Sequence, residues 1–341
     1  MDVDALASEA VTPIAPRPLR RVKNPHMWIV RRILIGIATL LLASLLVFVA
    51  TQALPSDPAR AILGRDATPE STKALTHELG LDRPIVTQYT GWLGGAVRGD
   101  LGDSLVTQRP VTAVIGNRIA NSLTLLFLVA LIAFPLALVL GAGTAIRRDR
   151  AADRFVLLGS LGLTALPEFV VGMGLIILFA TSVVHAFPAV SLLPPGENPL
   201  THPNQLVLPV ATLVLAVIPY LYRLIRASTI EALESEYVAM ARLKGVPERK
   251  VVVRHVLPNA LVPVIQASAL VLTFLLGSAV VVETLFQYPG LGTDLTNAIA
   301  RRDLPVMQAY VLVLAAAVVL FNLVADVLTV LVTPRLRTAA Q

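Results

Sequence analysis

Six stretches of this chain run for about twenty residues or more with almost no charge, and nothing else in the sequence limits the fold as much. About twenty helical residues cross the roughly 30 Å hydrocarbon core of a bilayer. Lipid offers the backbone no hydrogen-bond partners, so stretches of this kind fold as helices. The sequence therefore predicts an all-α membrane protein with about six transmembrane helices. A large soluble helical protein is the rival fold. Of the 341 residues, 55% are hydrophobic and 15% charged, against roughly 25% charged in soluble domains. Too few polar residues remain to coat such a core.

The predicted spans are 33–54, 122–146, 155–184, 206–225, 261–282 and 306–332. They organise the chain into a tail at 1–28, a first helix at 29–54, an extracytoplasmic region at 55–118, a five-helix core at 119–334 and a tail at 335–341. Within the core, residues 226–258 form a charge-rich loop. The polar tail is expected to be disordered. The apolar run after Arg31 and Arg32 is too long for a signal-peptide core and is expected to stay as the first span.

Orientation follows from Lys and Arg in short loops. Arg17, Arg20, Arg21 and Lys23 precede the first span, and Arg147, Arg148, Arg150 and Arg154 follow the second. Arg226 to Arg254, and then Arg335 and Arg337, continue the pattern, whereas 187–204 has no Lys or Arg. The basic segments, and both termini, are thus expected on the cytoplasmic side of the plasma (inner) membrane. Arg301 and Arg302 are exceptions. The net charge of +6 fits loops facing anionic lipid headgroups, and no nucleic-acid motif accompanies it. With no cysteine, disulfides and thiolate metal sites are excluded.

Prolines fall inside predicted spans at Pro135, Pro167, Pro209, Pro219 and Pro263, where they kink helices. Gly141, Gly143, Gly159, Gly162, Gly172, Gly174 and Gly277 are read as helix-packing positions.

The most informative stretch is EYVAMARLKGVPERKVVVRHVLPNALVPVI, from position 236 to 265. A helix is predicted over 236–243, with small Ala239 and Ala241 admitting a partner. Gly245 ends it with a positive φ, and Pro247 sits in the first turn of a second helix. Arg242, Lys244, Arg249, Lys250 and Arg254 are its exposed cations. Charge alone would read as a basic surface helix on headgroups.

Glu236, Ala239 and Gly245, followed by Leu257, Pro258 and Asn259, resemble the EAA loop of ABC importer permeases. In that family the loop is the coupling helix that docks on the ATPase, which implies coupling roles for Glu236, Tyr237, Ala239, Ala241, Arg242, Lys244, Gly245, Arg249, Pro258 and Asn259. Tyr237 stands where the generic motif has alanine, as in the peptide and nickel branch. Gly99, Asp100, Leu101, Gly102 and Ser104 are similar to the GDLG-S motif of peptide permeases. The stretch 277–292, with Glu283, Pro289, Gly290 and Gly292, and the stretch 302–306 match the same branch. The long first outer loop resembles the B-type subunit.

The resemblance implies a type I importer permease, the channel-forming subunit of an ATP-driven importer of di- or oligopeptides. It implies a homologous C-type permease, two ABC ATPase subunits or domains, an extracytoplasmic binding protein and surrounding lipid as partners. ATP and Mg would be held by the ATPases, with no cofactor in this chain. Nickel, glutathione and haem importers share the family.

Single residues add to this. Glu168, after Pro167, is a carboxylate inside an apolar run, and such groups face a water-filled path or a cation. Glu168, Pro167 and Asn121 are placed on the substrate path, with structural pairing as the alternative for Glu168. Glu283 reads as a contact at a helix end. Asp326 is expected to pair with a neighbour or to face the interior. A phosphate-binding loop needs Gly-Lys, yet Lys23, Lys73, Lys244 and Lys250 all follow other residues. The five histidines are scattered, so neither a metal site nor catalysis is predicted. An ion-gradient-driven transporter would rest on Glu168 and Asp326, but it would show inverted repeats that are not seen. A non-transporting membrane scaffold is the third reading.

Overall fold

The computed structural model describes residues 25–53, 63, 67–78, 80–181, 184–194 and 196–332. The tail predicted before residue 25, the prolines at 55 and 58, and the tail from 335 lie outside the described residues.

The first helix, α1 (Pro25–Gln52), starts before Arg31 and runs past the predicted span's beginning. Two short helices follow, α2 (Pro69–Glu78) and α3 (Ile85–Val97). Then come α4 (Val111–Ile146) and the pair α5 (Ala151–Thr164) and α6 (Glu168–Ile176), the latter continuing as a π turn, Ile177–Thr181. After a connector, α7 (Pro203–Leu233) leads to α8 (Glu236–Leu243) and α9 (Glu248–Val251). A π turn, Val252–Val256, joins α9 to α10 (Leu257–Phe286). The chain closes with α11 (Leu291–Arg301) and α12 (Leu304–Val332). Among the described residues, five helices are long and apolar enough to cross a membrane, and a sixth span results if α5 and α6 count as one.

The core lies where α4, α7 and α10 meet. Leu125, Val129, Leu213, Tyr222, Leu275 and Phe286 are buried there. Gly141 permits the α4–α7 contact, since a Cβ would sit 2.9 Å from the Ile225 side chain and 3.0 Å from the Tyr222 carbonyl. Gly172 likewise meets Leu285 and Thr212. At the other five glycines read as packing positions, an added Cβ would have no neighbour within 4 Å. Within this chain, no helix packs closely against them.

Around the core, α1 packs against α12 and leaves most of its surface exposed. Arg32 and Asp326 join the two helices at 2.8 and 3.0 Å, so Asp326 pairs with a neighbour. At one end of the bundle, the Arg226 guanidinium grips the buried Asp153 carboxylate with two 2.7 Å bonds, tying α7 to α5.

Two boundaries differ from the sequence reading. The α4 helix starts at Val111, well before position 122. Its first turns carry Asn117, Arg118, Asn121 and Ser122, which dilute the apolar signal without weakening the helix. The third span is not one rod. Its two limbs diverge by 103°, because Pro167 lacks an N–H and disfavours a helical conformation at Leu166.

Candidate functional site

Three regions collect the residues singled out by sequence. The first is the hairpin of α8 and α9. Its chain reversal is a Schellman closure: the Gly245 N–H donates to the Arg242 carbonyl at 2.9 Å, and the Val246 N–H donates to the Ala241 carbonyl at 3.2 Å. Gly245 adopts φ +74°, a region that residues with a Cβ avoid. Val238, Ala241, Val251, Val256 and Ala260 form a private core inside the hairpin. Arg242 clamps Glu248 with bonds of 2.6 and 3.1 Å, and that bond raises the guanidinium's already high pKa. The hairpin is thus a self-supporting body.

Its outer side is apolar. Leu243 is 82% exposed, Met240 60% and Tyr237 43%, and with Glu236 and Ala239 they line a shallow groove. Two sequence assignments are corrected. Ala241 faces the hairpin's own core and not a partner, because Val251 and Val256 come to lie beneath it. Pro247 caps α9 from outside, with Glu248 as the first helical residue. Lys244, Arg249, Lys250 and Arg254 are exposed. Pro258 and Asn259 are exposed at the start of α10, and the Asn259 amide donates to the His255 carbonyl at 2.7 Å.

The second region is a cavity of about 560 Å³ at the α5–α6 break, walled by α7 and α10. Glu168 and Pro167 line it, together with Pro219, Tyr220, Arg223 and Phe274. Glu168 lies in the first turn of α6, where free N–H groups and the helix dipole favour a carboxylate. Among the described residues its side chain has no hydrogen-bond or ion-pair partner. A bare carboxylate in hydrocarbon would cost at least about 2.5 kcal/mol, so Glu168 calls for water, a ligand or a partner's cation beside it.

The third region gathers the remaining motifs at the end of the bundle away from the hairpin. Buried Glu283 (1% exposed) accepts the Ser122 hydroxyl at 2.6 Å and the Gly292 N–H at 2.6 Å, so its carboxylate caps α11. A Cβ on Gly290 would overlap the Glu283 carboxyl, and one on Gly292 would strike the Val280 backbone. Asn121 lines a cleft with Arg118, Pro194 and Pro289. Its amide donates to the Pro289 carbonyl at 2.8 Å, and its own carbonyl accepts the Tyr288 hydroxyl at 2.8 Å. Burial, and then the Glu283 charge, push the Tyr288 hydroxyl's pKa upward, which keeps it a donor.

The 99–104 motif closes onto the same end. Gly102 takes φ +78° and donates its N–H to Asp100 at 2.9 Å. Gly99 also has positive φ, and Leu101 packs against the cluster of Val111, Ile115 and Leu291. Ser104 reaches Asp303, while Arg118, Asp294 and Tyr310 link α4, α11 and α12.

Residues 133–338 match the model of the binding-protein-dependent transport system inner membrane component, and residues 26–126 match the corresponding N-terminal membrane component model. The chain belongs to this family of ABC importer permeases.

As a permease of the peptide, dipeptide and nickel branch, it has relatives that align over nearly their full length. It is 35% identical over 309 residues to a putative peptide transport system permease protein of Brucella abortus (strain 2308), covering 91% of this chain and 98% of that protein. It is 36% identical over 310 residues to the glutathione transport system permease protein GsiC of Escherichia coli (strain K12), with the same coverage. The permease is thus a multi-pass membrane protein of the type I importer fold.

Several residues of this permease are not singled out by the sequence. Asp153 and Arg226 need two distant helices to be brought together. Ser122 and Tyr288 look like ordinary span-end residues. Arg223 does carry a signal, since an arginine inside an apolar run is itself a pointer to function.

Proposed function

We propose that this chain is the B-type, channel-forming subunit of an ATP-driven importer that carries di- and oligopeptides across the plasma membrane. The termini and the hairpin of α8 and α9 then lie in the cytoplasm. The common position of the Arg147–Arg150 turn and the hairpin at one end of the bundle supports this, with Arg148 bonded to Glu234 at 2.6 Å. Two ATPase subunits or domains, which hold ATP and Mg, dock on this hairpin and on its counterpart in a homologous C-type permease. A binding protein delivers substrate to the opposite end, and this chain binds no cofactor.

The observation that carries the reading is the exposed apolar row Tyr237, Met240 and Leu243 on a hairpin braced by its own core. A rigid element with one apolar face transmits a partner's motion as a lever. The α5–α6 break supplies a bent span beside a largely apolar cavity that carries Glu168 and Arg223, through which such motion opens or closes a path. Glu168 faces that path and meets a substrate amine.

The test is reconstitution of this chain in proteoliposomes with its second permease, both ATPases and binding protein. ATP-dependent uptake of labelled tripeptide is expected, and uptake by this chain alone without ATP would refute the reading. Glutathione is the second substrate reading, since the E. coli relative is as similar as the Brucella one. Competition between tripeptide and glutathione separates the two.

A further inference from the structure

The cavity at the α5–α6 break holds a second charge that the path reading leaves unused. Arg223 of α7 lines it opposite the first turn of α6. Its Nε donates to the Pro219 carbonyl one turn back, at 3.2 Å. That bond fixes the guanidinium's orientation and leaves its terminal nitrogens free among the described residues. Glu168 and Arg223 therefore carry opposite charges into one cavity, and no ion pair joins them.

The remaining wall is apolar and aromatic, from Leu270, Phe274 and Tyr220. The volume, about 560 Å³, falls within the roughly 300–1,000 Å³ of small-ligand sites. Two other carboxylates in the helices are matched by arginines, Asp153 by Arg226 and Asp326 by Arg32. Glu168 and Arg223 line the same cavity without such a bond. Two unpaired opposite charges in one otherwise largely apolar cavity complement a molecule whose two ends are oppositely charged.

Resting on the importer reading above, we infer that Arg223 receives the free carboxylate of a short zwitterionic substrate while Glu168 receives its amine. The cavity is then a transit site that selects peptides with both termini free. A guanidinium suits this role because its planar fork takes both carboxylate oxygens. The site acts inside the membrane, after the binding protein has made its own selection.

The experiment uses the whole complex in proteoliposomes at saturating loaded binding protein, and compares maximal uptake of trialanine with that of trialanine amide. In the wild type, the amide is expected to be carried about tenfold more slowly, the scale of one charge-assisted contact. Arg223→Gln is expected to bring trialanine down to the amide's rate and to leave the amide unchanged, so that the ratio approaches one. Glu168→Gln is expected to erase discrimination against N-acetyl-trialanine and to keep the amide ratio. If Arg223→Gln fails to assemble, Arg223→Lys is read instead, with the ratio expected to fall at least about threefold as the fork is lost.

Equal wild-type rates for the acid and the amide would overturn the inference. So would a variant that slows both equally, which is the signature of a structural partner such as the second permease. A wild-type complex that imports no peptide with ATP would instead sink the importer reading itself.

Discussion

Ser104 and Asp303, 199 residues apart in sequence, share a buried 2.5 Å hydrogen bond in which the serine hydroxyl donates to the carboxylate. The Leu105 N–H donates to the other carboxylate oxygen at 3.1 Å. The serine oxygen in turn accepts the Thr107 N–H at 3.0 Å. One side chain thus organises its own loop and anchors it to the start of α12. Two motifs that look independent in the sequence are the two halves of one clasp.

Ser104→Ala leaves Asp303 4% exposed with a single donor. An unsatisfied buried acceptor costs about 1–3 kcal/mol. A lower thermal unfolding midpoint of the detergent-purified complex is expected, with Ser104→Thr recovering part of it. An unchanged midpoint for Ser104→Ala would show that the clasp contributes nothing.

Glu283 makes a different kind of contact, a carboxylate buried at the N-terminus of α11. Replacing a capping acid removes about 0.5–2 kcal/mol, and Glu283→Gln also turns one acceptor into a donor facing the Ser122 hydroxyl. Gly292→Ala is expected to be worse than Glu283→Gln, because backbone at Val280 cannot step aside for a methyl group. The yield of monodisperse complex by size exclusion ranks them: wild type, then Glu283→Gln, then Gly292→Ala. Any other order counts against the capping account.

The Asp153–Arg226 pair offers a test of buried charge. Breaking such a pair by removing one partner costs about 3–5 kcal/mol, whereas replacing both with apolar residues is often neutral. Asp153→Asn and Arg226→Met should each destabilise strongly, and Asp153→Leu with Arg226→Met should recover most of the loss. Thermal midpoints of the three variants decide it. Additive losses would mean that the two residues act separately.

The fold is legible in sequence where hydrophobic length decides it, as in α10 and α12, whose ends lie within a few residues of the apolar limits. It is less legible where chain direction matters. Hydropathy is continuous across Leu166 and Pro167, so nothing in the composition distinguishes a gentle kink from a 103° break. Burial of Ala241 is hidden for another reason. Which face of an eight-residue helix turns inward depends on Val251 and Val256, which arrive only after the chain reverses at Gly245. The bonds that hold Asn121 are hidden as well, because its partners, Pro289 and Tyr288, lie 168 and 167 residues away. Glycine with positive φ at position 245, by contrast, is readable from spacing alone, since a helix, a glycine and a proline within a few residues leave the chain one way to turn.

That turn gives the last prediction. Gly245→Ala places a Cβ where φ is +74°, costing about 1–2 kcal/mol in the left-handed region. No neighbour lies within 4 Å of the added methyl, so the strain falls on the backbone and the Schellman closure loosens. Leu243→Asp leaves the turn intact and places a charge on the exposed apolar row. The two substitutions should therefore fail differently. Leu243→Asp is expected to lose the ATPases during affinity purification of the complex. Gly245→Ala is expected to retain them while uptake per ATP hydrolysed falls several-fold, because a softened hairpin absorbs motion that it should transmit. Co-purification paired with simultaneous ATPase and uptake assays distinguishes the two failures. If Leu243→Asp kept its ATPases and full uptake, the apolar face would not be the docking surface.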